Sequence, residues 1–288
     1  MQLIENSFRH DTCPLCKGYS ISKVGIIQYD PVLYYSTVQI KLSLDPELWK
    51  CKDCESSFVQ NTILESTSVE LYQQGTSDKR WVSKTFQESK TDEVIACMET
   101  LLKPHKRVLD IGCAGGAFLD FAKERDCVTC GVEYSLDNLK TLDEKGHTPY
   151  GGMEFTEGLF DLVTAFDVVE HLYQPVDFLE RCLSKLAPGG YLAFLTGDIS
   201  CFSAKICSED WWYTRFPEHI VFPSIQYFKN HSKVNVTDCV RTYAGRSYVS
   251  SAPIAILRNM KSVLLSASLS ACQSSIGGDH YLIILQHK

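Results

Sequence analysis

Three groups of residues in this chain have the type and spacing to do chemistry. Cys13-Pro14-Leu15-Cys16 and Cys51-Lys52-Asp53-Cys54 are two Cys-x2-Cys pairs with 34 residues between them. Two thiolates separated by two residues bind one ion from a tight knuckle turn. Two knuckles complete a closed tetrahedral site, so Cys13, Cys16, Cys51 and Cys54 are expected to hold one structural Zn2+. The gap is longer than the usual ribbon spacing, and a small sheet would fill it. The second group is Val108-Leu109-Asp110-Ile111-Gly112-Cys113-Ala114-Gly115-Gly116-Ala117, with glycines between a strand pattern and a helix pattern. Such a turn brings backbone close to a ligand and aims unpaired helix N–H groups at it. Glu133 follows Asp110 by 23 residues, at the end of the next strand, where an acid can take both hydroxyls of a ribose. The third group is a pair of acid–histidine dipeptides, Glu170-His171 and Glu218-His219. Imidazole titrates near neutrality and can accept a proton.

The elements that must position these residues change character near residue 105. Before it stand the cysteine pairs and short β-prone runs such as Tyr34 to Ile40. After it, apolar runs alternate with helical patterns, the sign of a parallel sheet covered by helices. A 3.6-residue apolar spacing over Thr91–Lys103 stops at Pro104. Strands are expected at Arg107–Asp110, Val128–Glu133, Phe160–Asp167 and Tyr191–Thr196. The helices between them are Ala117–Glu124, one running from a Ser135 N-cap to a Gly146 stop, and Pro175–Leu186 with Pro at its start. Two tail strands, Val234–Tyr243 and His280–Gln286, flank a helix expected at Ile254–Leu265. Residues 197–223 lose the pattern and gather Trp211, Trp212, Tyr213, Phe216 and Phe222, as a lid or substrate wall would. The expected organisation is a zinc-binding module over 1–75, a linker and helix over 76–105, and a main domain over 106–288 with the insertion at 197–223. The module is expected to have a core of its own, so that chelation unfolds it and leaves the main domain folded.

Composition narrows the partners. The net charge is −7, which does not favour an electrostatic grip on nucleic acid. The opening MQLIENSFRHD lacks an apolar signal region, and the apolar stretch 253–272 is broken by Arg258, Lys261 and four serines, so no membrane span is expected. Thirteen cysteines without a secretion signal point to the reducing cytoplasm. No Gly-Lys-Ser/Thr follows the glycine loop, which excludes a Walker phosphate site, and Gly112-x-x-Gly115 does not fit G-x-G-x-x-G.

The loop L-D-I-G-C-A-G-G-A-F-L instead resembles the first motif of class I S-adenosylmethionine (SAM)-dependent methyltransferases. The resemblance continues through G-V-E-Y-S, F-D-L-V-T-A-F-D-V-V-E-H-L and F-L-E-R-C-L-S-K-L-A-P-G-G-Y-L-A-F-L-T, over roughly residues 90 to 288. It implies an α/β, Rossmann-like doubly wound sheet of seven strands. Asp110, Gly112, Cys113 and Gly116 would line the methionine part of SAM, Glu133 the ribose, and Phe166 and Asp167 would sit beside the cofactor. Ala114 stands where the family usually has Gly, and the loop is expected to keep its shape. The cysteine pairs with Leu71-Tyr72 resemble the zinc-binding region of a subset that methylates sugars, although Glu55 replaces the usual Gly after the second knuckle. In that subset a Glu-His pair contributes to the acceptor site, which makes Glu218 and His219 the catalytic candidates, with His219 as the base. Asp167-x-x-Glu170-His171 resembles the E-x-x-E-H stretch of ubiquinone-pathway O-methyltransferases, where such residues are associated with a divalent cation. The expected acceptor is a small molecule, a nucleotide-linked sugar first and a quinone-like phenol second. The rival from another class is a zinc-bearing interaction protein that binds SAM without turnover.

Overall fold

The N-terminal part builds two small sheets in a computed structural model that describes residues 2–29, 32–74, 84–215, 217–245 and 278–288. In the first, β1 (Gln2–Ile4) pairs in parallel with β4 (Val38–Leu42), which pairs antiparallel with β3 (Leu33–Tyr35). The β-prone run from Tyr34 to Ile40 is thus a hairpin, turning at Ser36 with a left-handed φ of 51°. In the second, β5 (Glu47–Cys51) lies between β2 (Ile21–Ile26) and β6 (Ser57–Gln60). The helix α1 (Glu65–Gln74) follows.

The main sheet has seven strands. They are β7 (Arg107–Ile111), β8 (Val128–Val132), β9 (Thr148–Tyr150), β10 (Phe160–Phe166), β11 (Leu186–Gly197), β13 (Val234–Thr242) and β14 (His280–His287), with the short β12 (Val221–Phe222) lying elsewhere. Their order is β13-β14-β11-β10-β7-β8-β9, parallel except at β14, which runs antiparallel to both neighbours. This is the Rossmann-like doubly wound sheet that the resemblance implies. Residues on β14 alternate between two layers. Tyr281, Ile283 and Leu285 pack with α6 (Pro175–Ser184) residues such as Leu179, while Leu282 and Ile284 pack with Val94 and Met98 of α3 (Asp92–Leu101) and with Phe86 of α2 (Phe86–Ser89). A strand buried on both faces reads as a continuous apolar run, as Tyr281–Leu285 does. The Pro188-Gly189-Gly190 turn lies within β11, where the register with β10 shifts. The short β9 has too few residues to carry a period and was not expected. The helix expected at 254–265 and Phe216 lie outside the described residues.

Two expectations need correction. The insertion is irregular only in part: it forms α7 (Phe202–Cys207), a 3-10 turn at Ser208–Asp210 and β12, with α8 (Ile225–Asn230) beyond it, while the described residues between 211 and 220 are turns and irregular chain. The N-terminal module does not have a separate core. β12 pairs antiparallel with β6, Val221 opposite Phe58, so the insertion supplies the fourth strand of the module's sheet. Cys13, Leu15, Cys51, Cys54 and Phe58 belong to the same apolar cluster as Leu109, Val163, Phe194 and Tyr281 of the main sheet. Ser224 Oγ donates to the carbonyl of Cys54 at 2.5 Å, and Tyr173 OH to that of Ile63 at 2.8 Å. Removing the module would strip apolar cover from that face of the sheet.

Candidate functional site

The glycine loop leaves β7 at its carboxyl end and enters α4 (Ala117–Lys123). Gly112 and Gly116 take left-handed φ values of 71° and 79°, and a Cβ on either would fall 2.7 Å from Val168 or 2.6 Å from Leu142. Ala114 is left-handed as well, at φ 46°. The loop therefore keeps its shape without the usual Gly, at a conformational cost of about 1 kcal/mol. Cys113 is buried beneath it, its thiol 3.6 Å from the carbonyl of Val132.

Two carboxylates flank the loop at the ends of neighbouring strands. Asp110 is buried and accepts from Thr164 Oγ1 at 2.6 Å. Burial pushes its carboxyl up to about 7, opposed by the Thr164 hydrogen bond and by Lys90, and reinforced by the negative charge of Glu133. Glu133 ends β8 with Oε1 accepting the backbone N–H groups of Tyr134 and Ser135 at 2.8 and 2.9 Å, at the start of α5 (Leu136–Glu144). One oxygen thus serves the chain and the other carries no backbone bond.

A consequence for stability follows from Asp110. Its folded pKa of about 7 lies above the usual carboxylate value, so the folded state binds the extra proton. That contribution is present at low pH and is lost as pH rises through about 7, a swing of about 4 kcal/mol. Urea unfolding at pH 4 and pH 8 should show Asp110→Asn losing less stability across that range than the parent chain. Parallel pH profiles for the two proteins would contradict the assignment.

Phe166 and Asp167 close β10. Phe166 packs against Phe86 and Phe118, with ring centroids at 5.7 and 5.0 Å. Asp167 has a left-handed φ of 56° and pairs with Lys90 Nζ at 2.8 Å.

The third group converges beyond the carboxyl end of β10. Glu170 is fully buried, accepting from Tyr213 OH and, at 2.9 Å, from Thr196 Oγ1. Burial raises its carboxyl above the usual range. His219 is buried, and its Nδ1–H donates to the carbonyl of Tyr213 at 2.9 Å, which puts the lone pair of the neutral ring on Nε2. That nitrogen lies 4.0 Å from Glu170 Oε1. Burial holds the His219 imidazole well below its ordinary pKa, with His171 and His280 acting the same way and the Tyr213 carbonyl opposing. The rings of His171 and His219 meet edge-on at 4.8 Å, and His171 Nδ1 donates to the carbonyl of Glu218 at 3.0 Å. Glu218 itself turns towards the N-terminal module. Its Oε1 accepts the N–H of Ser36 and its Oε2 the hydroxyl of Tyr72, both at 2.6 Å. Glu218 and His219 are adjacent in sequence but serve different partners.

Glu170, Tyr213 and Tyr72 complete this cluster and were not singled out as catalytic from sequence. The Leu71-Tyr72 element carried the only signal for Tyr72. Trp211, considered as a stacking face, has no exposed surface and packs in a cluster with Leu48 and Phe222.

The four cysteines of the knuckles come together. Sulfur separations are 3.7 Å for Cys13–Cys54 and 3.5 Å for Cys16–Cys51, and the four atoms lie within 4.8 Å of one another. Zn–S bonds of about 2.3 Å place tetrahedral thiolates roughly 3.8 Å apart, so the donor set fits the ion. Lys17 and Glu55, each just after a knuckle, take left-handed φ values of 59° and 61°. Glu55 therefore adopts the conformation that Gly usually supplies. A Cβ on Gly18 would stand 3.2 Å from Cys16 Sγ, so glycine leaves room beside that thiol.

The family model described as a methyltransferase domain matches residues 83–232, just over half of the chain. The chain belongs to the methyltransferase domain family. The matched methyltransferase residues contain the glycine loop, Glu133, Glu170 and the Glu218-His219 pair. Among curated relatives, the ubiquinone biosynthesis O-methyltransferase of Psychrobacter cryohalolentis is 30% identical over 104 residues, covering 32% of this chain and 40% of that protein. The mitochondrial ubiquinone biosynthesis O-methyltransferase of Saccharomyces cerevisiae is 27% identical over 157 residues, covering 48% and 50%. The chain thus spans half or less of the length of these relatives. A solved structure with a similar fold is the N-methyltransferase NodS of Bradyrhizobium japonicum in complex with S-adenosyl-L-homocysteine, at 16% identity and a TM-score of 0.49, covering 74% of this chain and 93% of that one. No helix among the described residues is long and apolar enough to cross a membrane.

Proposed function

We propose that this chain transfers a methyl group from SAM to a small-molecule acceptor, a nucleotide-linked sugar, with His219 as the base. The observation that carries this reading is the His219 ring, fixed by the Tyr213 carbonyl with its Nε2 lone pair beside Glu170. SAM supplies an electrophilic methyl on a sulfonium. The left-handed Gly112 and Gly116, with Asp110 and Cys113 beneath them, fit its methionine part, and Glu133 Oε2 fits the ribose diol. Phe166 and Asp167 would flank the cofactor, and the cysteine site would hold zinc in a structural role because four thiolates leave no open position. His219 Nε2 would take the proton of the acceptor, and Glu170 would stabilise the imidazolium formed. Glu218 would act by fastening Tyr72 and Ser36 over the acceptor side rather than by taking the proton. Residues 1–75 are proposed as the zinc-binding module, 76–105 as the connection and 106–288 as the methyltransferase domain.

A second reading, an O-methyltransferase acting on a quinone-like phenol, is favoured by Glu170, His171 and His219, whose ligand atoms lie within 4.8 Å of one another. These residues would hold a divalent cation. Native mass spectrometry of the purified protein, followed by incubation with labelled SAM and either UDP-glucose or catechol, separates the two. Methylated UDP-glucose without added cation supports the first reading, and cation-dependent methylation of catechol alone overturns it.

Glu133→Ala is expected to weaken SAM binding by about 1.5–3 kcal/mol, roughly ten- to a hundredfold. Because Oε1 also accepts the backbone N–H groups of Tyr134 and Ser135, Glu133→Gln is the cleaner variant: its amide oxygen keeps those bonds while the charge is lost. Unchanged affinity of both folded variants in calorimetric titration would remove Glu133 from the ribose site.

A further inference from the structure

The Tyr213 ring touches two histidines, His219 at a centroid distance of 4.0 Å and His280 at 4.8 Å. His280 opens β14 opposite Gly197 at the carboxyl end of β11, the edge of the sheet where ligands bind in this architecture. It is 99% buried, and its Nδ1–H donates to Asp279 Oδ1 at 2.8 Å. The other oxygen of the fully buried Asp279 accepts from Trp212 Nε1 at 3.0 Å. In the neutral ring the carboxylate fixes the proton on Nδ1, which leaves the lone pair on Nε2. That atom is buried and has no hydrogen-bond partner among the described residues. Asp198 lies alongside, its N–H donating to the carbonyl of Asp279 at 2.8 Å. Its Oδ1 accepts from the backbone and hydroxyl of Ser200. Its Oδ2 is also buried without a hydrogen bond, with Arg241 Nη2 at 3.4 Å as its ionic neighbour. The same sheet edge thus carries one buried acceptor without a partner among the described residues, His280 Nε2, and a second, Asp198 Oδ2, met only by the Arg241 ion pair. Unsatisfied buried acceptors are costly and rare in native proteins, so their pairing beside the proposed base calls for a donor-bearing ligand.

We propose that His280, oriented by Asp279, and the neighbouring Asp198 form a subsite that receives the hydroxyl or amino hydrogens of the methyl acceptor. The inference rests on the methyl-transfer reading above and specifies what the acceptor must offer: at least one hydrogen-bond donor besides the group that is methylated. Sugars and amino sugars carry such donors. The Trp212 and Tyr213 rings, which stack on and meet His280 edge-on, would wall the subsite.

The test measures methyl transfer from labelled SAM to UDP-glucose, UDP-glucosamine and catechol by the parent chain, His280→Leu, His280→Gln and Asp198→Asn, with SAM affinity and melting temperature recorded for each. For whichever probe the parent methylates, KM should rise about tenfold or more in His280→Leu, the scale of a lost buried hydrogen bond, with SAM affinity unchanged. His280→Gln, whose amide oxygen can accept in place of Nε2, should recover most of it. A parent that uses UDP-glucosamine alone identifies the donor as an amine, and use of UDP-glucose identifies hydroxyls. If catechol alone is methylated and its KM depends on His280, the subsite stands and the sugar reading falls. An unchanged KM in folded His280→Leu means that the orphaned atoms hold only a structural water, and overturns the proposal. Absence of transfer to all three probes by the parent overturns both.

Discussion

His219→Ala is expected to lower turnover by about a hundredfold or more while leaving SAM affinity nearly unchanged, the scale of lost general-base catalysis. Three features of the site set that expectation. The Nδ1–H bond to the Tyr213 carbonyl holds the neutral ring with Nε2 as the acceptor. Burial keeps the ring unprotonated at neutral pH, so it is already in the form that takes a proton. In the proposed mechanism Glu170, 4.0 Å away and held by Tyr213 and Thr196, would stabilise the charge that the ring acquires. The depressed pKa also gives a pH signature. The unfolded ring protonates as pH falls through about 6.5 and the buried ring does not, so this group subtracts stability on the acid side. His219→Ala should therefore flatten stability loss below pH 6. Glu170→Gln should lower turnover without moving SAM affinity, whereas Glu218→Gln should act through the fastening of Tyr72. Near-normal turnover of His219→Ala with its acceptor would leave positioning of the reactants as the catalytic device.

Loss of the zinc site is expected to have the largest effect on the folded state. Structural zinc in small modules contributes on the order of 10–16 kcal/mol of apparent binding free energy at neutral pH. Cys51→Ser removes a buried candidate ligand and should yield protein without the single zinc per chain expected of the parent. The sequence alone suggests that only the first part would then unfold. The shared cluster of Cys13, Cys51, Cys54 and Phe58 with Leu109, Val163 and Phe194 changes that expectation. So does the pairing of β12 with β6, because β12 leads directly from His219. Zinc loss should therefore lower the melting temperature of the whole chain and abolish acceptor methylation, with the glycine loop the last part to lose its ligand. Elemental analysis and calorimetric melting check this together. A zinc-free variant that melts at the parent temperature would sink it, and two separate transitions would restore the independent module.

Where the physics was local, the amino-acid sequence determined the structure by itself. The left-handed turns of Gly112 and Gly116, the cysteine knuckles, the Ser135 start and Gly146 stop of α5, and Pro175 at the head of α6 each depend on a few neighbouring residues. Their conformational preferences are legible without the rest of the chain. The continuous apolar run of β14 and the 3.6 spacing of α3 likewise followed from which faces had to leave water. Only the tertiary structure decided which polar atoms meet. Tyr72 and Glu218 are 146 residues apart, and no pattern could show that their bond turns Glu218 away from its neighbour His219. The same holds for Thr196 and Tyr213 on Glu170, for Trp212 on Asp279, and for the strand that the insertion lends to the module. Apolar burial follows a period in the chain, but a hydrogen bond requires one donor and one acceptor at a fixed distance and angle. Long-range polar geometry of that kind is settled by packing, and it is where the proposed chemistry of this protein resides.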